Sequence, residues 1–258
     1  MLDVHPPHEA AHTWKDFFIH IATICVGLLI AIGLEQSVES LHHHHQREDL
    51  EQQMQDESAA NLRLVQDQID YAQQLKGYLS DCLRTLHSAT AADSLYTIML
   101  PPNRVELPKD AHSMLISPSR GTWTVAKAAG TVALLPAETA KIYARLDLAE
   151  EFEQEAERTD TADVDTLQAQ RVRLASSSDP DAPLHLTDAQ RDDLLLAYGH
   201  LQTDNDTFIF RLAIVKGALQ AVRAHVHTLE EMYPYQGKAV SESFGFPGAP
   251  IVRQGASH

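Results

Sequence analysis

The sequence predicts an all-α protein: an N-terminal transmembrane helix continuing into an elongated antiparallel helical bundle or coiled coil. Three observations predict it. Phe17 to Leu34 is an unbroken apolar run of 18 residues. No proline occurs between His8 and Leu100, and Gly77 is the one glycine between Leu34 and Arg120. Apolar residues then recur three or four positions apart, whereas strand alternation and hairpin signals do not rise above background.

The first element is the membrane helix, placed at 17–36. Its run, FFIHIATICVGLLIAIGL, has only His20 and Thr23 as polar members. At about 1.5 Å per residue it spans roughly 27 Å, close to the hydrocarbon thickness of a bilayer. Trp14 and Lys15 precede it as interfacial anchors. A cleaved signal peptide would begin with a short positive segment. Here Asp3, Glu9 and Asp16 stand against Lys15, which favours a retained anchor. The slight Lys15 bias puts residues 1–16 in the cytoplasm and the C-terminal domain outside. Within the span, Thr23, Gly27 and Ala31 recur every four residues and form a face on which two helices can pack closely. His20 lies near the boundary, where it can snorkel towards water. Cys25 is a small apolar residue of the span.

Residues 37–58 read as a juxtamembrane helical stalk, with Leu41, Leu50 and Met54 sparsely placed. A helical ectodomain follows over 59–233. Leu62, Val65, Ile69, Ala72, Leu75, Leu79, Cys82 and Leu86 form its first stripe. Pro101, Pro102, Pro108 and Pro118 make 97–119 a loop, with a short helix expected at His112 to Ile116. Thr122 to Ala129 predicts a short helix ended by Gly130, with Trp123 and Val125 inward. Pro136 opens a helix as an N1 proline would, and Ile142, Leu146, Ala149, Phe152 and Ala156 mark its face. Thr159 to Asp165 is its weak stretch. A linker at 176–186 precedes Thr187, which with Gln190 forms a capping box. The helix it starts is expected to reach Met232, kinking near TDNDT before Phe208. The glycines and prolines after Pro234 predict a flexible tail over 234–258.

Composition excludes several functions. With 36 acidic and 20 basic residues the formal charge is −16, and no run of Lys or Arg occurs. A nucleic-acid binder working through bulk electrostatics is excluded. Two cysteines rule out a disulfide scaffold. No nucleophile elbow, phosphate loop, dinucleotide fingerprint or zinc-protease motif is present. His42 to His45 is the most conspicuous run. Successive helical residues point about 100° apart, so only His42 and His45 share a face and could hold a transition metal, and then with a second copy supplying further ligands. The competing readings are a pH-responsive patch and a solvated stalk surface. His225 and His227 face different ways. Asp204-Asn205-Asp206 starts like a calcium loop but has Ile209 where glycine is needed. Cys82 lies in the apolar stripe and reads as a core thiol.

The order Lys15-Asp-Phe-Phe, a span ending Gly27-Leu-Leu-Ile-Ala-Ile-Gly-Leu-Glu-Gln36 and a Glu/Gln-rich helix resembles a group of uncharacterised bacterial single-span membrane proteins. Trp123 to Leu146 is similar to a feature of that group: an aromatic, a short helix, a glycine, the pair Leu134 and Leu135, and a helix carrying Tyr143. The four-histidine run departs from it. The resemblance implies a bacterial membrane protein with an N-terminal anchor and a helical domain, and it transfers no activity; with the Lys15 bias, the expected location is the inner membrane with the domain periplasmic where the source has two membranes. The functional expectation is an interaction or scaffold protein, without catalysis or a required cofactor. Its partners would be the lipid bilayer and either a second copy or another membrane or periplasmic protein. The alternative is an ectodomain that senses a ligand or metal and signals through a partner.

Overall fold

The computed structural model describes residues 14–103, 105, 117–175 and 182–246. Five α-helices carry almost all of that structure, so the all-α expectation holds. They are α1 (Trp14–Ser88), α2 (Gly121–Ala129), α3 (Ala137–Leu174), α4 (Asp188–Arg223) and α5 (Leu229–Phe244). One antiparallel ribbon accompanies them, β1 (Tyr96–Ile98) with β2 (Leu184–Leu186), Thr97 opposite His185. Strands of three residues are too short to leave an alternation in sequence.

The chain divides into two units, Met1–Asp49 and Leu50–His258. In the first, α1 carries an 18-residue window of mean hydropathy 2.5, none of it buried, long and apolar enough to cross a membrane. Thr23 folds its hydroxyl back onto the Ile19 carbonyl at 2.8 Å, so its polar group is satisfied within the helix. Gly27 and Gly33 face open space.

The second unit is built on α1, α3 and α4. Buried α1 residues alternate four and three apart: Met54, Ser58, Asn61, Val65, Gln68, Ala72, Leu75, Leu79, Cys82 and Leu86. The α4 seam repeats this from Leu194 through Tyr198, Leu201, Asn205, Phe208, Leu212, Val215 and Leu219 to Val222. Such spacing keeps one side of each helix facing its neighbours. Cross-links fix direction. Asn205 Nδ2 donates to the Ala72 carbonyl (2.9 Å) and Gln55 Nε2 to that of Val222 (2.6 Å), so α4 runs antiparallel to α1. Asn61 meets Glu150 and Tyr78 meets Arg171, so α3 runs parallel to α1. The packed core starts at Leu50, inside the segment expected as stalk.

Local chemistry sets the helix ends. Gly130 adopts φ 75° and closes α2 by donating its N–H to the Lys127 carbonyl. Thr187 and Gln190 make the reciprocal capping box of α4. α3 starts one residue after Pro136 and continues unbroken through Thr159 to Asp165, and α4 continues through TDNDT. Packing along a continuous seam outweighs weak local propensity there. α4 stops at Arg223, where His225 turns left-handed (φ 53°), instead of reaching Met232.

Three further expectations change. Val125 is exposed and Ala126 is buried beside Trp123. Phe152 is 47% exposed, and its neighbour Glu153 takes the inward position at 0%. The segment after Pro234 is not a tail from its start, because α5 covers 229–244. Thr228 caps α5 by accepting the Glu231 N–H, and Met232, Gln236 and Ala239 bury. That burial overrides the one hydrogen bond Pro234 forfeits. The expected helix at 112–116 and the end of the tail lie outside the described residues.

Candidate functional site

The buried apolar residues form two clusters. One joins Leu50 to Ala72 of α1 with α2, Ile142 to Ala149 of α3 and Phe208 to Val222 of α4. The other joins Leu75 to Leu86 with Ile98, Leu167, the ribbon and Leu194 to Leu201. Along α3 and α4, Glu153, Asp160 and Asn205 fall between these clusters. This polar belt is the feature that most sets the domain apart from a plain helical bundle.

On the side of the first cluster the belt is well bonded. Asn61 donates to the Ser119 carbonyl (2.8 Å) and to Glu150 Oε1 (3.2 Å) and accepts the Ser119 N–H (2.9 Å). Glu57 accepts the Thr122 N–H at 2.8 Å. Asp147 takes Arg120 at 2.6 Å and Lys127 at 2.8 Å. Partial burial opposes its charge, yet those two cations hold its carboxyl below the usual range. These side chains enclose a cavity of about 10 Å³, the size of a single water. Glu150 is 3% exposed; burial, then the Glu57 charge, push it up to about 8, against the pull of Asn61.

Further along, partners run out. Both carboxylate oxygens of Glu153 and Oδ1 of Asp160 are buried without a hydrogen bond. Burial, then Glu157, push Glu153 up to about 8. Burial, then Asp204, Asp163 and Glu157, push Asp160 up to about 7. Asp204 is raised by its hydrogen bond to Asp163, with His200 pulling the other way. The belt is hidden in the hydrophobic pattern of the sequence, where acids at helical spacing read as solvent-facing. The one available signal is Leu146, Glu153, Asp160 and Leu167, spaced by seven.

The residues singled out in sequence fall elsewhere. His42 to His45 are all exposed on α1. His42 is bonded to Gln46 (3.0 Å), and His44 pairs with Glu48 (3.2 Å) and Arg47 (3.2 Å). His42 and His44 thus each engage neighbours one turn on, and the rings approach as His42 with His43 and His44 with His45. Among the described residues no group of three or more His, Cys, Asp or Glu is arranged to hold a metal. Trp14 packs on Phe17 and Phe18 at the start of the apolar run, with Lys15 exposed beside it. Thr23, Gly27 and Ala31 are exposed. Cys82 is fully buried, and burial pushes its thiol up, away from nucleophilic reactivity.

Two surface features remain. A groove of about 730 Å³ between α4 and α5 is lined by His225, Val226, Glu231, Pro234, Tyr235 and Lys238. Glu231 accepts the His227 N–H at 2.7 Å, and Gln55 Nε2 lies 3.3 Å from His225 Nδ1. An aromatic surface on α3 and α4 comprises Leu148, Phe152 and Phe210, all exposed, with Arg211 stacked over both rings at 5.2 and 5.9 Å. No family model, curated protein or solved structure matches the chain.

Proposed function

We propose that this is a single-span membrane protein whose acidic helical domain binds proteins, a second copy included, and performs no turnover. The observation that carries the reading is the apolar window of α1, mean hydropathy 2.5 with no residue buried. In water, that much apolar surface on one helix has no stable place; a bilayer satisfies it. Burial of the window inside the chain's own core, the usual alternative, is not what α1 does.

The charge distribution supports the division of labour. Of the charged residues, 33 acids and 19 bases lie beyond Leu34. A domain of that sign is repelled by anionic headgroups, so the anchor, and not the domain surface, keeps the chain at the membrane. The Lys15 side would be cytoplasmic and the domain periplasmic in a two-membrane bacterium. Two surfaces suit association: the small-residue face of Thr23, Gly27 and Ala31, and the Leu148, Phe152, Phe210 and Arg211 surface, whose phenylalanines and arginine are residue types enriched at interfaces.

Crosslinking of the full chain in native membranes tests the proposal. The expected product is a dimer or one defined heteromer, with Gly27→Leu lowering the dimer yield. A chain that stays monomeric in membranes and in mild detergent overturns the self-association part.

A further inference from the structure

Glu153 and Asp160 stand seven residues apart on α3, at the position that Leu146 and Leu167 occupy one heptad either side. An apolar side chain there would bury against the neighbouring helices. A carboxylate there loses its water and gains no counter-charge. Glu153 is 0% and Asp160 is 9% exposed, and neither has a salt-bridge partner among the described residues. We propose that α3 is latched by protonation: it docks against α1 and α4 when Glu153 and Asp160 are neutral, and loosens from them when both are charged.

The surroundings of both groups are acidic or already engaged. From α1, Tyr71 faces Asp160, and Glu57 faces the adjacent Glu150. From α4 come Asp204 and, beside it, His200. α3 itself adds Glu157 and Asp163. No cation is among the charges acting on either group: Arg120 pairs with Asp147, and Arg211 lies over the Phe152 and Phe210 rings. On α5, Glu242 pairs with Lys216 at 3.6 Å. A proton is therefore what is left to neutralise the seam. The direction of linkage follows. The folded form holds protons that the unfolded form releases near pH 4, so docking is strongest below that pH and weakens as pH rises through 7 to 8.

Hydrogen exchange of the full chain in lipid nanodiscs at pH 6.0 and 8.5, corrected for intrinsic exchange, tests the latch. Protection across residues 146–170 should fall at least about tenfold at the higher pH. Residues 212–222 of α4, away from both acids, should change less. Made in a Glu150→Gln background, because burial pushes that α3 carboxyl up to about 8 as well, the Glu153→Gln, Asp160→Asn double variant mimics the neutral pair and should hold its α3 protection within about threefold over the same range. Wild-type α3 protection that ignores pH overturns the proposal, whether or not the variant folds. So does a double variant that retains the wild-type dependence. A pH dependence that vanishes when millimolar Mg²⁺ or Zn²⁺ is added would assign the seam to a metal ion and also overturn it.

Discussion

Gly217 packs directly on the backbone of Gln236: a Cβ on Gly217 would lie 2.4 Å from the Cα of Gln236 and 2.7 Å from the Tyr235 carbonyl oxygen. The helices α4 and α5 thus cross backbone to backbone, and α5 is seated by the absence of a side chain. Gly217→Ala forces two backbones apart and should cost about 1–3 kcal/mol. In a domain of this size that lowers Tm by several degrees, about 2–4 °C per kcal/mol. Gly77 and Gly199 have open space where a Cβ would go, within helices. Alanine at either should raise stability by about 0.5–1 kcal/mol. Thermal unfolding of the three variants by circular dichroism checks the opposite signs; a neutral Gly217→Ala would mean that α5 is not held at this crossing.

Asn61 ties the segment before α2 to α1 through both polar atoms of its amide. Asn61→Ala leaves the Ser119 N–H and carbonyl and one Glu150 oxygen without these bonds, at a cost of about 1–3 kcal/mol. Local exchange should report it first in residues 117–130. Asn61→Leu, which replaces the amide by an apolar group of similar size, should not restore protection, because the Ser119 N–H and carbonyl stay orphaned.

Asp147 gives pH dependence of the opposite sense to the α3 latch. Its carboxyl is held low by Arg120 and Lys127, so its contribution is present above the ordinary aspartate range and lost as pH falls through the lowered value. Asp147→Asn should destabilise by about 1–3 kcal/mol at pH 7. The difference from wild type should shrink towards pH 3. Chemical denaturation at both pH values reads it, and a constant difference would contradict the ion-pair account.

The histidine run should be dispensable for folding. All four residues are exposed, and replacing them with alanine should change stability by less than about 0.5 kcal/mol. Zinc titrated into the full chain should show no micromolar binding that disappears with His42→Ala and His45→Ala. Binding that does disappear would favour a metal-sensing role over a purely associative one.

Much of this architecture is written in periodicity. Thr187 with Gln190, Gly130 after a short helix and the stripe from Val65 to Leu86 are local signals, and each ends where the chemistry of caps and apolar spacing says it should. What escaped was set by tertiary contact. Glu153 displaced Phe152 from the inward face because heptad phase, and not hydrophobicity, decides which residue points at α1 and α4. Ser58, Asn61, Gln68 and Asn205 occupy seam positions that a hydrophobic count skips. α5 was hidden behind Pro234, since its stability comes from the Gly217 crossing and the burial of Met232 and Ala239. The unpartnered carboxyls could not be inferred at all, because a carboxylate's partners depend on three helices at once.

Alkaline carbonate extraction of membranes from cells expressing the full chain tests the central claim most directly. The account predicts that the wild-type chain stays in the pellet. Val26→Lys with Leu29→Lys, each costing about 2.5–3.5 kcal/mol at mid-span, should release it to the supernatant with its helical content intact. A wild-type chain recovered in the supernatant, or a double-lysine variant still in the pellet, would contradict the account.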